Sequence, residues 1–275
     1  MTHNTLLGDV DPEIIDTLLT RREAIRRGAS TSAMVAAGLA FASVPVALGA
    51  FAKDAYAQGA LPSAIVDVLN FALTLEYLES TFYDTGVATS GLIPASDMAV
   101  FQQIMKHEDA HVAFLKAALG SSAVAKPTFD FTAGGMFPDV FSNYTTFKAV
   151  SQAFEDTGVR AYKGQAPNLI SSPDILTAAL QIHSVEARHA AEVRRLRGLD
   201  GWINGTTGNL PAAVNAAVYG PGNPAAQYPA ESNTTQGGVD LVGATGMSSD
   251  VVSASFDEPL DKATVLAIAG PFIVS

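Results

Sequence analysis

Two short stretches of this sequence carry the same pair of metal-binding side chains at the same spacing, Glu108-Asp109-Ala110-His111 and Glu186-Ala187-Arg188-His189. In an α-helix, residues three apart share a face, so each stretch aims one carboxylate and one imidazole in a common direction. Two further acids, Glu76 and Glu155, stand inside otherwise apolar stripes. An isolated buried carboxylate is costly, so a Glu on a core face needs a partner, and a cation is the simplest one. Glu76, Glu108, His111, Glu155, Glu186 and His189 therefore form a candidate set of six metal ligands. A Glu from each of two helices and a Glu-x-x-His from each of two others is the donor set of carboxylate-bridged dinuclear sites in bundles. Hard oxygen ligands with one imidazole per ion suit two Fe or Mn ions. Ions about 3.5 to 4 Å apart can take O2 or peroxide between them.

An internal repeat supports the grouping. Tyr83 follows Glu76 and Tyr162 follows Glu155 at the same spacing of seven, and 79 residues separate the two Glu. The two Glu-x-x-His stretches are separated by 78 residues at both positions. Two matching hairpins about a pseudo-twofold axis would give each ion one His and one terminal Glu, with the remaining Glu pair bridging. Glu79, three residues from Glu76, is the alternative ligand from the first helix. His107 and His183 either orient a ligand carboxylate or lie on a neighbouring helix face, with the second expected. Tyr83 and Tyr162 either donate to the bridging carboxylates or are core tyrosines satisfied by any nearby acceptor, again with the second expected. Arg160 and Arg188 read as surface charges.

The elements that must position these side chains are helices. Pro62-Ser63 opens an apolar-periodic run that Gly86 is expected to close. Ser96 and Asp97 are expected to cap a second run ending at Gly120. Residues 121–142, with Pro127, Gly134, Gly135 and Pro138, are too long and too punctuated for a tight turn and read as a crossover, with Phe129, Phe131 and Phe137 covering the bundle face. A third helix runs from about Asn143 to Gly164. A fourth starts at Ser172-Pro173-Asp174 and reaches Gly198, with Arg194, Arg195 and Arg197 near its end. The expected fold is all-α, a four-helix bundle over 58–198 with its long crossover between helices 2 and 3. Residues 199–275, rich in Gly, Asn, Pro, Thr and Ser, read as an irregular extension ending in a short docking helix after Asp257-Glu258-Pro259.

The 275 residues contain no cysteine, which excludes disulfides, thiolate clusters and a cysteine nucleophile. Sixteen basic against 27 acidic residues, a net charge of -11, argue against a nucleic-acid partner. No Ser/His/Asp grouping suggests a hydrolase, and no catalytic residue is assigned beyond the metal ligands. The charged fraction, 16%, lies below the usual value of about 25% because residues 30–52 carry no charge. That run follows Thr20-Arg21-Arg22-Glu23-Ala24-Ile25-Arg26 and ends near Ala50-Phe51-Ala52 or Ala55-Tyr56-Ala57. It resembles a twin-arginine export signal, with Ala24 where Phe is usual. Residues 1–57 are thus expected to be a signal, handled by the twin-arginine translocase, that delivers the protein to the periplasm or cell exterior. An uncleaved membrane anchor is the alternative.

Residues 62–198 resemble a ferritin-like di-metal bundle. Leu69-Asn70-Phe71-Ala72-Leu73-Thr74-Leu75-Glu76-Tyr77-Leu78-Glu79, Phe154-Glu155-Asp156-Thr157-Gly158-Val159 and Val185-Glu186-Ala187-Arg188-His189-Ala190 are similar to the desiccation-related branch of that superfamily, as is Phe256-Asp257-Glu258-Pro259-Leu260. The resemblance implies a metal site used for iron oxidation or peroxide detoxification in stress protection. Manganese-catalase-like peroxide dismutation and a non-catalytic, structural desiccation-protective role are the alternatives. Metal ions and O2 or peroxide are the expected partners, with a homodimer left open.

Overall fold

Four long helices carry the architecture, and the computed structural model describes them within residues 61–205 and 208–274. The expected export signal, 1–57, lies outside the described residues. Helix α1 spans Ser63–Ala88, α2 Met98–Leu119, α3 Tyr144–Gln165 and α4 Pro173–Leu196. Among the described residues no helix is long and apolar enough to cross a membrane.

Helix α1 pairs with α2 and α3 with α4. Cross-links show both pairs to be antiparallel. Asn70 donates to the Ser122 carbonyl while Ser80, further along α1, donates to Asp109, earlier on α2. Lys148 reaches the Leu196 carbonyl at one end of α3, and Arg194 bonds Asp156 further along. The bundle is therefore two hairpins joined by the crossover 120–143, as the length and punctuation of that segment predict.

Local details differ from the sequence reading. Gly86 does not end α1, which continues to Ala88. Instead a Cβ at Gly86 would stand 2.3 Å from Phe147, so the missing side chain lets that ring lie against the helix. Asp97 occupies the cap position of α2 but makes no capping bond; its carboxylate accepts from the Tyr144 hydroxyl at 2.6 Å. In the crossover, Phe131 and Phe137 are buried and Phe129 is partly buried against the core.

The segment after α4 is more ordered than its composition suggests. It contains α5 (Ala212–Tyr219), α6 (Leu241–Thr245), α7 (Ser249–Ser253) and α8 (Lys262–Ala269). Helix α8 docks on α3 and α5 as expected. The chain does not end there: a turn at Gly270–Phe272 leads to a strand, Ile273–Val274, that pairs antiparallel with Thr128–Phe129 in the crossover. Phe272 meets Phe137 and Phe154.

This wrapping explains why α3 is buried almost all round between Val150 and Tyr162. Its inner face meets the other helices, and its outer face is covered by the later chain. Arg160, expected at the surface, is fully buried. It forms an ion pair with Glu231 at 2.9 Å and donates to the carbonyls of Val218, Gly220, Pro229 and Glu258. Beside it Asp156 is held by Arg194 and by the Tyr219 hydroxyl at 2.5 Å. A buried charge is tolerable only with such partners. Arg188 is exposed, as expected.

Candidate metal centre

The middle of the bundle is acidic and dry. Glu76, Glu108, His111, Glu155 and Glu186 are wholly inaccessible and His189 is 5% exposed. Each long helix contributes on its inward stripe: Glu76 from α1, Glu108 and His111 from α2, Glu155 from α3, Glu186 and His189 from α4. The structure gathers all six side chains into two overlapping quartets, Glu76–Glu108–His111–Glu186 and Glu108–Glu155–Glu186–His189, each with donor atoms within 4.8 Å of one another.

The overlap has a definite geometry. His111 Nδ1 lies 3.1 Å from Glu76 Oε2, 3.2 Å from Glu108 Oε2 and 3.0 Å from Glu186 Oε1. His189 Nδ1 lies 2.8 Å from Glu108 Oε1, 3.3 Å from Glu155 Oε2 and 3.4 Å from Glu186 Oε2. Glu108 and Glu186 thus turn one oxygen toward each imidazole, while Glu76 and Glu155 each serve one quartet.

These contacts are short, yet several are not hydrogen bonds. Glu108 Oε1, Glu155 Oε2, both oxygens of Glu186 and His189 Nδ1 are buried without a hydrogen-bond partner. Donor atoms that crowd together at such distances without aligning on each other are arranged as ligands around a shared centre, and the residues fit a metal on that ground. The buried arginines are engaged elsewhere, Arg160 with Glu231 and Arg194 with Asp156.

The electrostatics follow from this crowding. Burial pushes Glu76 up to about 8, partly offset by His111 and reinforced by Glu186. Glu155 is likewise pushed well above the carboxylate range, chiefly by burial. Burial opposes ionisation of Glu108 too, but His111 and His189 outweigh it and hold this carboxyl below its ordinary value. Burial disfavours charge on both imidazoles, yet the surrounding carboxylates, Glu76 first for His111 and Glu155 first for His189, raise them well above an ordinary histidine. Without a metal, protons on the histidines balance part of the acid.

Neighbouring side chains orient the cluster. The Tyr83 hydroxyl donates to Glu155 Oε1 and the Tyr162 hydroxyl to Glu76 Oε1, each at 2.5 Å, so each tyrosine crosses from its own hairpin to the other. Their acceptors are the Glu that serve one quartet each, not the shared pair considered from sequence. His107, expected on a neighbouring face, instead stands with Nδ1 2.8 Å from His189 Nε2. Sequence alone marks it only as able to orient a ligand carboxylate, because the contact with His189 depends on how α2 rotates against α4. The buried Nε2 of His183 has no hydrogen-bond partner.

Residues 64–199 match the family model described as a ferritin-like domain. The bundle is a ferritin-like domain. No curated protein matches the chain. Within this ferritin-like domain Glu79 is buried as well, and it feels Glu186, Glu108, Glu155 and Glu76. By the 79-residue offset its counterpart is Gly158, where an added Cβ would stand 3.3 Å from Glu79 Oε1. The fifth carboxylate thus lies in space that a side chain at 158 would contest. It belongs to neither quartet.

Proposed function

We propose that this ferritin-like domain binds two divalent ions, iron or manganese, through Glu76, Glu108, His111, Glu155, Glu186 and His189, and uses them for iron oxidation or peroxide detoxification. The observation that carries the reading is the pair of quartets sharing Glu108 and Glu186, each of which splits its two oxygens between the imidazoles. Four carboxylates match the charge of two divalent ions. Iron or manganese held there would supply electron exchange with O2 or peroxide.

The chain's own residues set the conditions for that chemistry. Tyr83 and Tyr162 hold Glu155 and Glu76 in place through hydrogen bonds from their hydroxyls. His107 fixes the ring of His189 from its outer nitrogen. The packed apolar shell excludes water and keeps the local dielectric low, which strengthens every charge interaction inside. We further propose export through the twin-arginine route and a role in stress protection. The Arg21-Arg22 pair with its uncharged run supports the first, and the resemblance to the desiccation-related branch supports the second.

The test is metal content after reconstitution of the purified protein. Wild type is expected to bind about two Fe or Mn per chain. Glu108→Ala and His111→Ala are expected to bind fewer. Less than about one ion per chain in wild type, with both variants indistinguishable from it, overturns the reading. Oxygen evolution from added hydrogen peroxide separates manganese-catalase-like dismutation from oxidation of Fe(II).

A further inference from the structure

The repeat that relates the two hairpins also relates the two ends of the bundle, and the ends are filled differently. At one end Phe82, Phe101 and Phe147 are wholly buried beside Tyr83, with Phe82 stacked on Phe147 at 4.8 Å and Phe101 against it at 5.1 Å. The same offsets of 79 and 78 residues carry these three positions to Ala161, Ala179 and Val68 at the other end. All three line a cavity of about 20 Å³ whose walls are almost entirely carbon. At these three equivalent positions one end has aromatic rings, and the other has two methyls and an isopropyl group beside a cavity that Phe71 and Phe114 also line.

Helical register places the void against the cluster. Ala72 is one turn before Glu76, Leu115 one turn after His111 and Ile182 one turn before Glu186, and all three line it. Tyr162, whose hydroxyl bonds Glu76, is also in the wall. The cavity therefore sits beside the Glu76–His111 quartet.

Its volume exceeds the roughly 10–15 Å³ that one water needs, but a water there would find almost none of the polar partners it requires. Hydrogen peroxide, which also needs hydrogen bonds, is disfavoured for the same reason. An apolar gas loses nothing in such a site. An unfilled core space costs stability, and at the equivalent positions of the other end three buried rings occupy the core.

We propose that this apolar cavity is a binding pocket for dioxygen, holding it one helical turn from the Glu76–His111 side of the cluster. The proposal deepens the metal reading, and its functional consequence rests on that reading; occupancy of the pocket does not.

Crystals of the full chain pressurised with krypton, an apolar probe of similar size, test occupancy without any metal. Krypton is expected in the cavity of wild type and absent from Ala161→Phe and Ala179→Phe, which restore the rings of the opposite end. Should either ring fail to fit, Ala179→Met fills the same space with a flexible chain. In the ferrous-loaded protein these variants are expected to reoxidise about tenfold more slowly at limiting O2 while reacting with hydrogen peroxide at the wild-type rate. An empty cavity in pressurised wild-type crystals, or filled variants that react with O2 as wild type does, overturns the proposal. If wild type takes up no iron, the metal reading fails, and krypton still decides whether the cavity is a gas site.

Discussion

Glu155 and Asp156 are adjacent on α3 and both are buried, yet they belong to two different kinds of polar interior. Asp156 is held by Arg194 from α4 and by Tyr219 from the later chain, and a turn further on Arg160 pairs with Glu231. Glu155 faces the bundle axis, among three other carboxylates and two imidazoles whose donor atoms are partly unpaired. Where the chain supplies its own cation, a buried acid is a fastening that ties the outer segment to the bundle. Where imidazoles balance only part of the acid, the rest falls, on the proposed reading, to a cation from solution. The comparison assigns roles to buried charge by asking what balances it.

The largest effect that would break the comparison is on the fastening side. Arg160→Met leaves Glu231 buried without its cation and is expected to destabilise the fold by about 3–5 kcal/mol. That corresponds to a fall in Tm of roughly 10 °C by thermal unfolding, the same with or without chelator. A loss under about 1 kcal/mol would show that the outer segment is not held this way.

On the other side, stability should depend on metal. Iron or manganese at a hundred times its Kd is expected to stabilise wild type by about 2.7 kcal/mol per site, and chelator to reverse it. Glu108→Ala, which damages both quartets, should abolish the metal-dependent shift in Tm. Glu76→Ala, which touches one, should retain part of it. Equal losses in the two variants would argue against a shared Glu108.

Proton linkage sharpens the contrast further. With its folded pKa raised to about 8, Glu76 keeps a proton in the metal-free fold that the unfolded chain has released. Its contribution to metal-free stability is therefore complete at low pH and lost as pH rises from the ordinary carboxylate range through about 8. Metal must displace that proton and those on the two imidazoles, so affinity should rise with pH near neutrality, by up to tenfold, about 1.4 kcal/mol, per pH unit for each proton released. Isothermal titration in buffers of different ionisation enthalpy counts the protons released; none released near pH 7 would contradict the assignment.

The smallest effect belongs to the tyrosines. Tyr162→Phe removes one hydrogen bond to Glu76 and is expected to cost about 1–2 kcal/mol in the metal-free protein. It should weaken metal binding at the Glu76 quartet more than at the Glu155 quartet. Tyr83→Phe should show the reverse preference. Identical effects of the two variants on both ions would dissolve the crosswise pairing.

Much of the centre was legible before any coordinates. The four helices, the crossover and the six side chains all followed from periodicity, punctuation and the matched offsets, because helical geometry converts a spacing of three or four into a shared face. Arg160, Asp156 and Gln152 were not legible. On α3 they look like an ordinary solvated face, and the groups that bury them lie tens of residues later in the chain. The partner of His107 was not legible for a related reason, since His189 is 82 residues away.

The sequence by itself determined which side chains point inward, since that follows from local helix geometry and the apolar stripe. It also carried the repeat that makes the two hairpins equivalent. Only the tertiary structure decided which oxygen of Glu108 and Glu186 faces which histidine, that Glu79 belongs to neither quartet, and that α3 has no solvated face between Val150 and Tyr162. Those outcomes depend on helix rotation, on register and on where the 200–274 segment lies, and no local rule reaches across such distances in the chain.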